Sequence, residues 1–432
     1  MNFLEHLSDF LCSIITPCIL LTAFVIILPY SVKSASHQRG ISAEKRNITS
    51  QLSALSMALA GTLGVGNITG VASALIYGGP GAIFWMWIGA LISTAVKYAE
   101  VYLAVRHRQR DPSGWFGGAM YYIRYGLQRV LPGNASRALA AVFALLCTAN
   151  SLVTGNIVQS NAAAAVMGNG RVMCGIILAV LLTASILYGS RKIEKITARL
   201  MPPLTLLYMS VAVIIIFKNI SLMPEVISNI VGSALHGSSI AGGAIGFSVR
   251  ESLRFGVIRG IFSNESGCGT SPTAHAVADC SSPSSQGKLG VAEVVFDTIV
   301  LCSMTAFVLL IADIKYSVIP WKDMLGGDAA AVTMEAFTKL TGSGISLILT
   351  VSIVLFAYAS IIAQLYYGVT AIESVTKKRC AVRVYYLVSV CCTVIGSVVC
   401  PSVMWITADI LIGLMTAVNC AVLILLRRQL RS

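Results

Sequence analysis

The sequence has 432 residues, 56% hydrophobic and 11% charged, with a formal net charge of +13. Soluble domains carry about 25% charged residues, whereas this chain has a mean hydropathy of +0.80 and repeated apolar runs of roughly 20 residues, the mark of a polytopic α-helical membrane protein. The runs are continuous rather than alternating, which excludes a β-barrel, and the basic residues are scattered in short loops, which excludes a nucleic-acid patch.

Eleven apolar spans are predicted in chain order, at 11–30, 50–78, 80–106, 137–168, 171–189, 199–217, 246–275, 287–313, 343–373, 383–401 and 403–427. The first follows Glu5 and Asp9 rather than a basic segment, so it reads as a retained span and not a signal peptide. The loop after it carries Lys33, Arg39, Lys45 and Arg46. With that loop inside, 22 Lys and Arg fall on the inner side and five on the outer. This is the positive-inside pattern, with the N-terminus outside and the C-terminus cytoplasmic. Outside the spans, 118–131 is amphipathic and basic and is predicted to lie along the inner membrane surface. Segments 222–235 and 329–342 are predicted helices on the outer side. The cysteines named by the apolar runs (Cys147, Cys174, Cys302, Cys420) read as buried thiols, with no C-x-x-C pair.

Two spans stand apart. The second carries Gly61, Gly64, Gly66 and Gly70; the seventh carries Gly256, Gly260, Gly267, Gly269 and Pro272. Each glycine costs a helix about 1 kcal/mol against alanine. Close helix packing is one use for such residues. A helix broken in the membrane, whose freed amides and carbonyls bind an ion or polar solute, is another. Polar Asn67, Ser263, Asn264 and Glu265 inside the two runs favour the second. The breaks are five spans apart, so the halves enter the membrane from opposite sides. This predicts an inverted repeat: residues 1–45 as an extra span and basic inner loop, 46–217 as the first half, 218–432 as the second.

The blocks GTLGVGNITGVASALIYGGPG, GNIVQSNAAA and RGIFSNESGCGTSPTAHA resemble the alanine/glycine:cation symporter family, the sodium:alanine symporters. With FDTIVLCSMTA, LFAYASIIAQLYYG and MWITADILIGLMTAVN, the likeness covers about residues 50–425. It implies the five-plus-five inverted-repeat fold of the LeuT type with one additional N-terminal span. It also implies an inner-membrane symporter of bacteria with Na⁺ as coupling ion and no other cofactor.

For the site, an amino-acid carboxylate suits the exposed amides at Gly64, Val65, Gly66 and Asn67, and an ammonium suits carbonyls near Phe262, Ser263 and Asn264. By resemblance, Gln159 matches the family's substrate-contacting glutamine. A Na⁺ ion wants oxygen ligands, which the family's fold implies come from the carbonyls of Ala60 and Leu63 and the hydroxyl of Ser360. The chain departs from the family at Val65, where a threonine is common, at Gln364, where a tryptophan is common, and at Ser266. The Gln364 change predicts a roomier, more polar pocket that extends the alanine and glycine class to glutamine or serine.

Charged residues at membrane depth are functional candidates. Asp297 and Asp409 match family positions and read as structural hydrogen-bond acceptors. Glu293 stands where the family has a small residue, which opens a proton-coupled alternative. Glu265 is expected to pair with Arg259 or cap freed amides. Lys97 and Glu100 are expected to form a snorkelling pair, and His275 to be packed and satisfied. A non-transporting sensor of the same fold is a further alternative. An enzyme lacks support: no G-x-S-x-G surrounds Ser266, and no Walker motif is present.

Overall fold

The computed structural model describes residues 2–37, 48–112, 114–189, 193–236, 238–239, 246–280, 282–321 and 329–431. Arg39, Lys45, Arg46, Arg191, Lys192 and Lys322, six of the charges used for orientation, lie outside the described residues, as does the expected boundary at 45/46.

The described chain is an all-α membrane protein. Its long helices are α1 (Phe3–Ser36), α2 (Ile48–Thr62) continuing across a bend into α3 (Thr69–Gly78), then α4 (Gly81–Arg106), α5 (Gly133–Ala165), α6 (Gly168–Tyr188) and α7 (Ile193–Lys218). After the short α8 (Met223–His236) come α9 (Val249–Asn264), α10 (Pro272–His275) and α11 (Pro283–Tyr316). The last are α12 (Ala329–Thr341), α13 (Ser343–Val375), α14 (Arg379–Gly396) and α15 (Pro401–Leu426). Among the described residues, nine helices are long and apolar enough to cross a membrane, ten if the pair bent by 55° at 63–64 is one span. The expected seventh span is the 16-residue α9, about 24 Å long at 1.5 Å per residue and short of the hydrocarbon thickness. It stops at the second break. Among the described residues, sheet is limited to two small pairings, Gln109–Asp111 with Gly114–Phe116 and Ser238–Ser239 with Gly246–Phe247.

Burial separates a centre from a periphery. In α14 only 22% of the apolar window is enclosed, against 67% in α11. The exposed faces of the outer helices carry Leu145, Val180, Leu206 and Leu387, which suits lipid contact. At the centre, α9 lies along α4. A side chain on Gly256 would strike the Ala82 carbonyl and Trp85, so close approach of these two helices requires glycine there. Helix α12 buries Thr333, Ala336 and Phe337, and Phe337 packs on Tyr208 of α7.

Segment 118–131 departs from expectation. It is not one surface helix but consecutive short helical turns over 119–129. Met120, Tyr122, Ile123 and Leu127 are fully buried, and Tyr122 donates to Asn419 Oδ1 at 2.5 Å. Tyr121 and Tyr122, expected on a helix along the membrane surface, are instead packed into the bundle, while Tyr125 is exposed. Cys147, Cys174, Cys302 and Cys420 are buried as expected, while Cys18, Cys380, Cys391 and Cys400 are exposed.

Candidate functional site

The first break follows from two sequence features. Helix α2 ends at Thr62, and after Gly64 the backbone makes a single 3-10 turn, Val65–Asn67, before α3. A side chain on Gly64 would collide with Ser360 Oγ and Gln159 Oε1. The absence of a Cβ therefore lets α5 and α13 meet at the break. Gln159 Oε1 accepts the Val65 amide at 3.1 Å, and Gln159 Nε2 donates to the Thr154 carbonyl at 3.2 Å. Ser360 Oγ donates to the Ala60 carbonyl at 2.7 Å. Thus Ala60 and Ser360 touch, and Leu63, the residue after the end of that helix, is buried.

The second break needs left-handed backbone. Glu265, Gly267 and Gly269 have φ of 51°, 86° and 79°, of which only the glycines adopt that region freely. Glu265 tolerates it inside a dense web. Thr270 Oγ1 donates to Glu265 Oε2 at 2.7 Å, and Gln364 Nε2 donates to Glu265 Oε1. The Gly267 amide goes to Glu100 at 3.1 Å.

Between the breaks lies a cavity of about 10 Å³, lined by Gly61, Thr62 and Gly66 from the first break and by Ile261, Phe262, Glu265, Cys268 and Thr270 from the second. Asn150, Thr154 and Gln159 of α5, Gln364 of α13 and Ile412 of α15 complete it. A volume of that size holds one water, so an amino acid enters only when the surrounding helices move apart. Four sequence-predicted residues line it: Gly66, Gln159, Phe262 and Gln364. Gly64 and Val65 border it through Gln159.

The side chains of Asn67, Ser263 and Asn264 gather elsewhere. Asn67 Nδ2 donates to Asp297 Oδ1 at 2.7 Å and Ser263 Oγ to Asp297 Oδ2 at 2.6 Å. Asn264 Nδ2 donates to Thr298 Oγ1 at 3.0 Å, and its Oδ1 accepts the Ser266 amide. Asp297 and Thr298 lie in a π-helical stretch, Val295–Cys302. The wider turn there lets consecutive residues face one cluster.

Two expected ion pairs are replaced. Lys97 pairs with Glu293 at 3.4 Å and donates to Ser271 at 2.9 Å, both charged groups fully buried. Glu100 instead accepts Asn419 Nδ2 at 2.5 Å and the Gly267 amide, and both residues are fully buried in the bundle. Arg259 does not meet Glu265; it grips Asp409 at 2.6 and 3.2 Å. His275 is packed as expected, with Nε2 on Glu293 and Nδ1 on Gln286, each at 2.8 Å.

Asn150, Thr154, Cys268, Thr270 and Ile412 were not predicted. Asn150 and Thr154 sit in an otherwise apolar span where a polar residue can equally serve helix packing. The signal that could have found them is their spacing of four residues, with Gln159 five residues further on, across the π-helical stretch Ser151–Ile157.

The model of the sodium:alanine symporter family matches residues 6–432. The chain is 35% identical over 395 residues to the probable sodium/glutamine symporter GlnT of Bacillus subtilis, covering 90% of this chain and 79% of the relative. It is 34% identical over 404 residues to the sodium/alanine symporter AgcS of Methanococcus maripaludis, covering 92% and 86%. It is also 34% identical over 381 residues to the amino-acid carrier protein AlsT of Bacillus subtilis, covering 87% and 78%. A broken helix pair around a small polar cavity and this run of relatives agree: the chain belongs to the sodium:alanine symporter family and is a multi-pass, cation-coupled amino-acid symporter rather than an enzyme.

Proposed function

We propose that the protein imports a small neutral amino acid of the alanine and glycine class, extending to glutamine or serine, driven by the Na⁺ gradient across a bacterial inner membrane. The observation that carries this is the layer at the first break. Ser360 reaches the Ala60 carbonyl there, and Gln159 and Ser360 close on Gly64. Neutral oxygens from Ala60, Leu63 and Ser360 suit a hard monovalent cation. With the Val65 amide held by Gln159, the amides of Gly64, Gly66 and Asn67 open the first turn before α3 and suit a carboxylate. Carbonyls near Phe262, Ser263 and Asn264 suit the ammonium. In this reading residues 46–217 and 218–432 form the two inverted halves, after a first segment 1–45. The N-terminus lies outside, the C-terminus inside, and the halves rock to expose the site alternately.

A proton-coupled cycle through Glu293 has less support, because both of its oxygens are engaged, by Lys97, Ser271 and His275. The test is uptake of labelled alanine, glycine, serine and glutamine into proteoliposomes under an inward Na⁺ gradient, an inward proton gradient, or neither. Accumulation with Na⁺ alone supports the proposal. Accumulation with protons alone replaces it with the proton-coupled reading. Binding without accumulation replaces it with a sensor.

A further inference from the structure

Two buried amide side chains in the central cavity have an oxygen without a partner. Gln364 is 2% exposed and Asn150 3% exposed, and both line the cavity. Neither Gln364 Oε1 nor Asn150 Oδ1 meets a hydrogen-bond donor. Leaving such an oxygen unpaired costs about 1–3 kcal/mol, so each is a place for a donor brought from outside. The orientation of Gln364 is fixed. With Glu265 ionised, its Nε2 faces Glu265 Oε1, because an ionised carboxylate accepts and does not donate. Its Oε1 is therefore left as an acceptor.

Helix register places these oxygens relative to the first break. Gln159 meets Ser360 at Gly64, Gly155 lies on Gln364, and Ser151 lies on Gly368. Helices α5 and α13 thus run antiparallel. Gln364 and Asn150 fall on the same side of the Gly64 layer, toward the C-terminal end of α13. Gln364 is four helical steps on from Ser360, a rise of about 6 Å at 1.5 Å per residue. A serine hydroxyl, two bonds from Cα, cannot bridge that span from a carboxylate held at Gly64–Asn67. The terminal amide of glutamine, four bonds from Cα, can. The neighbouring Glu265 carboxylate disfavours an acidic side chain of the same length.

We infer that Gln364 and Asn150 form a side-chain subsite that reads a primary carboxamide, making glutamine the preferred member of the substrate class. This rests on the transport reading above and narrows it: the amide N–H groups of the substrate donate to the two unpartnered oxygens.

The wild-type protein tests this with substrate analogues, so the result does not depend on a variant folding. Na⁺-driven uptake of labelled alanine and of labelled glutamine is measured in proteoliposomes. Unlabelled glutamine, glutamate γ-methyl ester and glutamate serve as competitors. The ester keeps the γ-carbonyl and lacks the N–H groups but is one methyl longer, so the fall of the ratio in the two variants below, and not the wild-type ratio alone, separates lost donors from added bulk. Glutamine is expected to compete at least about tenfold better than the ester, the loss set by leaving the subsite oxygens unpaired, with glutamate weakest. In Gln364→Met and Asn150→Leu the ratio of glutamine to ester is expected to fall toward one. Equal competition by glutamine and the ester, or none by glutamine, overturns the inference while Na⁺-driven alanine uptake keeps the transport reading intact. Absence of Na⁺-driven uptake for every amino acid overturns both.

Discussion

Arg259 and Asp409 form a two-pronged ion pair, 2.6 and 3.2 Å, with both side chains almost fully buried. The pair fastens α9, just before the second break, to α15. The Arg259 guanidinium also lies 4.1 Å from the ring of Trp405, and Trp405 packs edge-on against cavity residue Phe262. Removing one partner of a buried pair leaves an uncompensated charge and costs about 3–5 kcal/mol. Asp409→Ala is expected to lower the melting temperature in detergent sharply. Asp409→Glu, which keeps the charge, should lie between it and the wild type. Equal melting temperatures for all three would show that the pair does not hold α9 in place.

Gly64→Ala tests the close approach at the first break. The new methyl must displace Ser360 or Gln159, which disrupts the bond to the Val65 amide or the bond to the Ala60 carbonyl. Folding should survive, since the added volume is one methyl, but substrate-dependent uptake should fall at least about tenfold through the lost geometry. Wild-type uptake by this variant would mean that the break does not hold the transported solute.

Ser360→Ala removes the only side-chain oxygen in the proposed ion set while leaving the Ala60 and Leu63 carbonyls. The Na⁺ concentration giving half-maximal uptake should rise about tenfold, roughly one hydrogen-bond-sized contribution. The apparent affinity for the amino acid at saturating Na⁺ should change less. An unchanged Na⁺ dependence places the ion elsewhere.

The Lys97–Glu293 pair invites a double-mutant cycle. Glu293→Gln leaves a buried lysine without its carboxylate, and Lys97→Met leaves the carboxylate without its lysine. Each should destabilise the protein by several kcal/mol, about 3–5 by analogy with other buried pairs. The double variant should recover part of that loss. If Na⁺-driven uptake also persists in the double variant, Glu293 carries no transported proton.

Orientation can be read from thiols. Cys400 is exposed at the start of α15, and Cys380 is exposed near the start of α14. Hydrogen bonds from Ser402 lower the pKa of the Cys400 thiol, so more of it is thiolate at a given pH and it reacts faster. A membrane-impermeant maleimide should label Cys400 in intact cells and Cys380 only after permeabilisation. The reverse pattern inverts the proposed topology.

The helices and both breaks were legible because glycine density and apolar length are local properties of the chain. The partners of the buried charges were not. Lys97 was assigned to Glu100 three residues away, yet its carboxylate is Glu293, 196 positions on. Local spacing lists the neighbours on one helix and says nothing of a facing one. The same limit explains Asn67, Ser263 and Asn264. Their position in the breaks was right, but their side chains turn to Asp297 and Thr298 on α11. It also explains Asn150, whose unpaired oxygen only a three-dimensional contact reveals.

Helix α13 runs without interruption from Ser343 to Val375, and it carries Ser360 and Gln364 one turn apart. Opposite it, Gly155 and, on α13 itself, Gly368 leave no slack: a side chain at either would strike the other helix. A stiff rod seated so tightly cannot shift at one of these levels alone. A tilt that draws Ser360 off the Ala60 carbonyl also draws Gln364 off Glu265. The first carries a proposed ion ligand and the second faces the solute, so the two loads would be gripped and released by one mechanical part. Strict co-transport would then follow from the shape of a single helix, with no signal passed between separate sites.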